Sequence, residues 1–225
     1  MMPRKVAFLA WLLTAGAALC SVVERLDNAT VLLREVMDSK DHSIPQSLLD
    51  KAECAVLIPG VKKGAFLFGA TYGRGFITCR KAGSPGWIGP AAVRLEGGSF
   101  GLQIGGSETD VILLVMNKRG AQTLLKNQFK LGGDASVAAG PVGRTTTAAT
   151  DVYMRAEMLS WSRSRGVFAG ISLEGSTLRQ ELSTNQELYG RELENKDIFQ
   201  QQLAPPQAAK ELVSLLNKYS SRKGR

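Results

Sequence analysis

Gly97-Gly98-Ser99-Phe100-Gly101 matches the Gly-x-Ser-x-Gly pattern of a serine nucleophile elbow letter by letter. That chemistry needs a serine at a sharp strand-to-helix turn, with an acid and then a histidine further along the chain to draw off its proton. Here the residues after Gly101 are patterned as strand, and the sole histidine, His42, lies upstream. The pattern therefore reads as a turn at the start of a strand. The glycine-rich runs Gly69–Gly75 and Gly132–Gly143 suggest phosphate cradles, but neither contains the Gly-x4-Gly-Lys-Ser/Thr spacing that a P-loop needs. One histidine and three cysteines (Cys20, Cys54, Cys79) exclude a His-rich metal site and a four-cysteine zinc site within one chain. His42 follows Asp41 in a polar linker, a place for an exposed or capping side chain. No catalytic set, no metal and no cofactor is expected.

Charge carries more information than these motifs. The chain has 28 Lys and Arg against 20 Asp and Glu, a formal net charge of +8. Between Cys54 and Leu95 stand Lys62, Lys63, Arg74, Arg80, Lys81 and Arg94 with no acid among them, where average usage would place about four. Phe66, Phe68, Tyr72, Phe76 and Trp87 are interleaved. Cationic turns beside aromatic rings suit an anionic membrane surface, where each basic residue contributes about 1 kcal/mol. The expected lipid-facing set is Lys62, Lys63, Arg74, Arg80 and Lys81. A plainer arrangement has the aromatics as sheet core and the cations as a solvated rim.

The first twenty residues bear on the compartment. Arg4 and Lys5 precede an apolar run from Val6 to Leu13 and the small-residue stretch Ala15-Gly16-Ala17. This is the layout of an export signal over residues 1–20, too short for a comfortable membrane span. Its removal takes away two cations and no acid, so the chain stays basic. Cys20 raises the alternative of a lipidated N-terminus, against which Leu19 is bulky where a small residue normally stands. Export leaves Cys54 and Cys79 in an oxidising setting, either bridged across a loop of about 25 residues, worth about 3 kcal/mol, or as two buried thiols on neighbouring strands. A periplasmic or secreted protein, associated with membrane, is the expected location, and nucleic acid is no partner there.

These residues must be positioned by elements that the periodicity foretells. At 225 residues, 44% hydrophobic and 21% charged, the chain has enough apolar surface for a folded core. Apolar residues at 22, 26, 29, 33, 36 and 37 predict an amphipathic helix over Val22–Met37. Ser43 is expected to cap a short helix carrying Leu48, Leu49 and Ala52. From Cys54 the period changes to two. Ala55–Ile58 is expected as a short strand ended by Pro59-Gly60, and Ala65–Tyr72 with Phe76–Arg80 as a hairpin turning at Gly73-Arg74-Gly75. Trp87–Leu95, Ser99–Ile104 and the apolar run Val111–Met116 continue the strands, followed by a short helix over Asn117–Asn127. Val152–Met158 and Val167–Leu173 alternate as strands, and the chain after Gly175 is helical, around Asn185–Leu193, Asp197–Leu203 and Ala209–Tyr219. Helices, many short strands, then helices make an α+β fold: an antiparallel multi-stranded sheet or partly closed barrel flanked by N- and C-terminal helices. No linker divides residues 21–225, which are expected to form a single domain.

Several strings together resemble the SYLF domain family. They are Ile44 to Lys51, Ala55 to Gly64, Tyr72-Gly73-Arg74-Gly75, Thr109 to Asn117, Leu131 to Arg144, Tyr153 to Leu173 and Leu188-Tyr189-Gly190. The resemblance covers about residues 24–216, nearly the whole mature chain, and implies an exported bacterial member of the family. It implies lipid binding, phosphoinositides in eukaryotic members and actin binding in some, and no catalytic residues. Membrane association in the family belongs to an N-terminal amphipathic helix and basic residues, which map onto Val22–Met37 and onto Lys62 and Lys63. For an exported protein an anionic phospholipid of the cell envelope takes the place of the phosphoinositide. An envelope protein partner, with the sheet as scaffold, is the competing expectation.

Overall fold

The computed structural model describes residues 5–39, 44–66, 68–100, 105–142, 155–164 and 167–221. Helix α1 (Lys5–Asp38) and the short α2 (Gln46–Lys51) precede four long strands, β1 (Cys54–Phe66), β2 (Phe68–Arg80), β3 (Trp87–Phe100) and β4 (Gly105–Val115). Then come α3 (Lys118–Leu124), the short strands β5 (Gln128–Lys130), β6 (Val137–Ala139), β7 (Met158–Ser164), β8 (Val167–Gly170) and β9 (Thr177–Gln180), and three closing helices. These are α4 (Leu182–Tyr189), α5 (Asn195–Gln200) and α6 (Lys210–Tyr219). Among the described residues nine strands join one sheet in the order β5-β9-β3-β2-β1-β4-β7-β6, with β8 also on β7. Every pairing is antiparallel except β6 with β7. The expected α+β class, with a sheet flanked by helices from both ends of the chain, is the observed one.

The sheet buries both faces. On one side the α1 stripe (Val22, Leu26, Ala29, Leu33, Val36) packs with Leu49 of α2 and Leu212 and Leu216 of α6 over Leu57, Phe76, Ile112, Leu114 and Trp161. On the other, Val56, Ile58, Ile77, Val111, Leu113 and Val115 meet Leu124, Phe129, Ile198 and Phe199. Alternate residues of the Val111–Val115 run thus go to opposite cores, which is why that stretch is apolar without a break. Among the described residues no helix is long and apolar enough to cross a membrane.

Three expectations about strand ends give way to longer strands. Pro59-Gly60 does not end β1; the register against β4 shifts between Ile58 and Val61, a bulge in which Gly60 takes φ +62° and the strand resumes. Gly73-Arg74-Gly75 is not a hairpin turn but the middle of β2, and the two strands meet instead at Phe66 and Phe68. The glycines are there because the bulge crowds them. A Cβ on Gly75 would lie 2.0 Å from the Leu57 carbonyl oxygen, and one on Gly73 would lie 2.6 Å from a Val61 methyl. Close backbone approach and a turn leave the same letters in a sequence. Likewise Trp87–Leu95 and Ser99 belong to one strand, β3, so Ser99 stands within a strand opposite Gly69 and on no elbow.

Other details differ less. Asn117 caps α3 by accepting a hydrogen bond from the Gly120 N–H at 2.9 Å, so the helix begins one residue later than expected. The strand expected from Val152 begins at Met158, with residues 151–154 outside the described residues. A strand, β9, precedes the C-terminal helices. Cys54 and Cys79 are register partners on β1 and β2, and their sulfurs are bonded. His42, Ser43 and the side chain of Cys20 lie outside the described residues.

Candidate functional site: the cations of β1 and β2 and the cleft beneath helix α1

The five cations singled out from the sequence do not share one surface. Lys62 and Lys63 are neighbours near the β1–β2 turn and both are exposed; alternation along the strand sends them to opposite faces. Among the described residues neither is ion-paired. Lys81 is also exposed, but it follows the far end of β2. From Tyr72, the partner of Lys62, nine residues of strand at about 3.3 Å each put it ~30 Å away.

Arg80 is the clearest departure from a lipid-facing role. It is 6% exposed. Its guanidinium donates to the Ala52 carbonyl at 3.1 Å, the Leu49 carbonyl at 2.9 Å, the Ser220 carbonyl at 2.7 Å and the Ser220 hydroxyl at 2.6 Å. It also lies 3.9 Å from the centroid of the Trp87 ring, whose indole N–H donates to the same Ser220 carbonyl at 2.6 Å. Arg80 therefore ties the end of α2 and the end of α6 to the sheet. Its donors are spent on the protein itself.

Arg74 sits between these extremes. Its Nε donates to Glu181 at 2.6 Å and its terminal nitrogen to the Thr184 hydroxyl at 3.0 Å. Glu181 begins α4 and is itself buried; it accepts a second, longer contact of 3.4 Å from Arg25 of α1. The acid-free stretch is thus partly neutralised by carboxylates from later in the chain. Glu181 answers Arg74, Glu96 answers Arg94 at 2.7 Å, and Glu108 stands across from Lys62.

Around Arg25 and Arg74 opens a cleft of about 520 Å³ between α1 and the sheet, with Lys62, Tyr72 and Val31 on its walls. Helical spacing brings Glu24, Asn28 and Val31 to its roof, while the β1 bulge at Pro59-Gly60 forms part of its floor. The two ends of the cleft differ. At one, two guanidiniums share the carboxylate of Glu181, and Glu187 of the same helix is a further anion acting on Arg25. Burial and the neighbouring Arg74 cation push Arg25 below the ordinary arginine range. At the other end Asp110 is already satisfied, accepting from the Gly60 N–H at 2.9 Å and from two nitrogens of Arg163 at 2.8 and 3.0 Å. Arg163 also pairs with Glu35 of α1.

Sequence reasoning missed Arg25, Asp110, Arg163 and Glu181. Arg25 carried a signal, being the cation next to Leu26 in the buried stripe of α1, where it must lie along the sheet rather than in open water. Nothing in the chain around Glu181 announces its pairing with residues 107 and 156 positions away. No group of three or more metal-binding side chains occurs among the described residues.

A mixed α+β sheet with helices packed across it and a charged cleft under the first of them defines the class of this domain. Its family follows from comparison with known proteins. A family model described as "Ysc84: Las17-binding protein actin regulator" matches residues 96–219. An SH3 domain-containing protein of Schizosaccharomyces pombe is 38% identical over 177 residues, covering 77% of this chain and 41% of that protein. SH3 domain-containing YSC84-like protein 1 of Xenopus laevis is 32% identical over 184 residues, covering 81% and 54%. Protein YSC84 of Saccharomyces cerevisiae is 32% identical over 180 residues, covering 78% and 38%. The chain belongs to the Ysc84 family, the SYLF family of the sequence resemblance. It spans about half the length, or less, of these three relatives.

Proposed function

We propose that this chain is a non-enzymatic binding module that docks on anionic phospholipid through the β1–β2 end of its sheet. The observation that carries this reading is the pair Lys62 and Lys63, exposed and without an ion pair among the described residues. They sit where the strands run into the apolar sequence Phe66-Leu67-Phe68. Two exposed ammonium groups supply the attraction that an anionic interface offers, about 1 kcal/mol per cation. Arg80 has no part in this reading, and Lys81 stands too far away to share the contact. The layout of residues 1–20 supports export, and so an envelope or secreted setting with an anionic phospholipid as ligand.

A second reading, a protein-interaction module, is favoured by the family description, which names an actin regulator, and by relatives named for SH3 domains. Co-sedimentation separates the two. The chain is expected to pellet with phosphatidylcholine vesicles containing phosphatidylglycerol and to stay in solution with phosphatidylcholine alone. Lys62→Glu with Lys63→Glu is expected to abolish pelleting, and Lys81→Glu to leave it. Equal pelleting with both vesicles, or no loss in the double variant, overturns the lipid reading. Saturable co-sedimentation with actin filaments in that case establishes the second.

A further inference from the structure

Lys81, which stands too far from Lys62 to share a membrane contact, borders a second cavity. It has a volume of about 450 Å³ and opens at the other end of the sheet, between the β2–β3 turn and the link from α5 to α6. Each wall is fixed by a specific feature. The Lys81 N–H donates to the Gly86 carbonyl at 2.9 Å and closes the turn. Gly86 takes φ +105°, and a Cβ there would lie 2.9 Å from the Oδ1 of Asn217, so a side chain would push that amide off the Trp87 N–H it accepts. On the other wall Gln202, at φ +48°, is the one non-glycine residue with a left-handed backbone among the described residues. Such a residue persists only where its surroundings impose it, and strain of this kind clusters at ligand clamps. It turns the chain after α5 so that Leu203 and Pro205 join Pro85 and Ile88 in the lining.

The polar groups of that lining select a charge. Among the described residues Lys81 is its sole charged member, exposed and without an ion pair, and no acid borders the cavity. Asn217 spends its Oδ1 on the Trp87 N–H at 3.0 Å, which fixes the amide and leaves Nδ2 to donate. An ammonium and an amide N–H are donors that the two oxygens of one carboxylate satisfy. One cation also balances one negative charge, whereas a dianion would be left half unanswered. The remaining wall is apolar, and about 450 Å³ lies in the range of small-molecule sites.

We propose that this cavity binds a small organic monocarboxylate, its carboxylate held by Lys81 and Asn217 and its apolar body laid against Pro85, Ile88, Leu203 and Pro205. The site is a strand's length from Lys62 and stands independently of the docking reading. Isothermal calorimetry on the purified full-length chain tests it, with 4-phenylbutyrate as the acid and the neutral 4-phenylbutanamide as its partner probe. Saturable heat is expected with the acid, and roughly tenfold weaker binding of the amide through loss of one charge-assisted contact. Lys81→Gln is expected to bring the acid down to the affinity of the amide and to leave the amide unchanged. Ala204 is exposed at the rim, so Ala204→Trp sets a ring over the cavity and is expected to weaken both probes more than tenfold. Both substitutions fall on exposed positions, and their urea midpoints are expected to match wild type. No saturable heat with the acid, equal affinity for acid and amide in wild type, or acid binding unchanged in the two variants overturns the proposal. An acid affinity that falls just as far in Lys62→Glu with Lys63→Glu overturns it as well, because it reports a general pull of the basic chain rather than this cavity.

Discussion

Arg74 and Arg80 stand six residues apart on one strand, on the same face, in the same acid-free stretch of sequence, and they do opposite things. Arg80 lies at the end of β2 where α2 and the end of α6 converge, and it meets three carbonyls, a hydroxyl and an indole ring. Arg74 lies at mid-strand beneath α1, shares a carboxylate with Arg25, and borders a cleft. One guanidinium closes the structure; the other borders an open cleft. The difference lies in what the rest of the chain delivers to each place. Helix ends bring backbone carbonyls that need donors, whereas α4 brings the Glu181 carboxylate to Arg74 and Arg25.

The contrast breaks most readily at Arg80. Arg80→Met keeps much of the volume but takes a charged donor from each of the carbonyls of Leu49, Ala52 and Ser220 and uncovers the Trp87 face; the Ser220 carbonyl keeps the Trp87 indole N–H. Losing a charged donor costs a buried acceptor on the order of 1–3 kcal/mol, partly recovered by water and remaining partners, so a loss of about 3–5 kcal/mol is expected in urea unfolding. Arg74→Met removes one of two cations from Glu181 at a site more open to solvent, where screening discounts the pair. The expected loss there is about 1–2 kcal/mol. Equal losses at the two positions would show that both arginines are fasteners and that the cleft end is no more open than the other.

The same pair marks how far the sequence could be read. The α1 stripe, the two-sided apolar run Val111–Val115, the α+β order and the family strings were all legible, because each depends on residues close together in the chain. The five-cation surface was not, for two physical reasons. Strand length was misjudged at Pro59-Gly60 and at Gly73-Arg74-Gly75, where glycines that make room for a bulge read as turns; lengthening β2 moved Lys81 a full strand away from Lys62. The other reason is that an arginine's partners can lie anywhere. Leu49 and Ser220 for Arg80, and Glu181 for Arg74, are separated from them by 31 to 140 residues. Composition counts cations, but it cannot see which are answered from a distance.

A smaller effect sharpens the account of the fastened end. Tyr219, the residue before Ser220, donates its hydroxyl to Asp38 at the end of α1 at 2.7 Å. Burial, together with that hydrogen bond and the Asp38 charge, pushes the phenol up to about 12 from an ordinary 10.0. A folded-state pKa above the unfolded one means that the neutral phenol is the form the fold favours. Its contribution is complete below pH 10 and is lost as pH rises from there to about 12. Tyr219→Phe is expected to lower stability by about 0.5–1 kcal/mol at neutral pH, the worth of one exposed-edge hydrogen bond. The gap to wild type should close between pH 10 and 12, read as converging urea midpoints. A gap that stays constant over that range would mean that the hydroxyl does not hold α1 to α6.

The smallest expected effect falls on Lys62, and its smallness is informative. Its ammonium is exposed, and its cross-strand neighbours Tyr72 and Glu108 keep their places through backbone pairing. Lys62→Gln keeps the unbranched stem that covers the strand and removes only a screened charge. The urea midpoint is therefore expected to match wild type within error, in contrast to the large loss at Arg80. If it holds, any loss of vesicle binding in that variant reports contact with the membrane rather than damage to the sheet. A shifted midpoint would instead place Lys62 with Arg80 among the fasteners and leave Lys63 alone to carry the contact at the β1–β2 end.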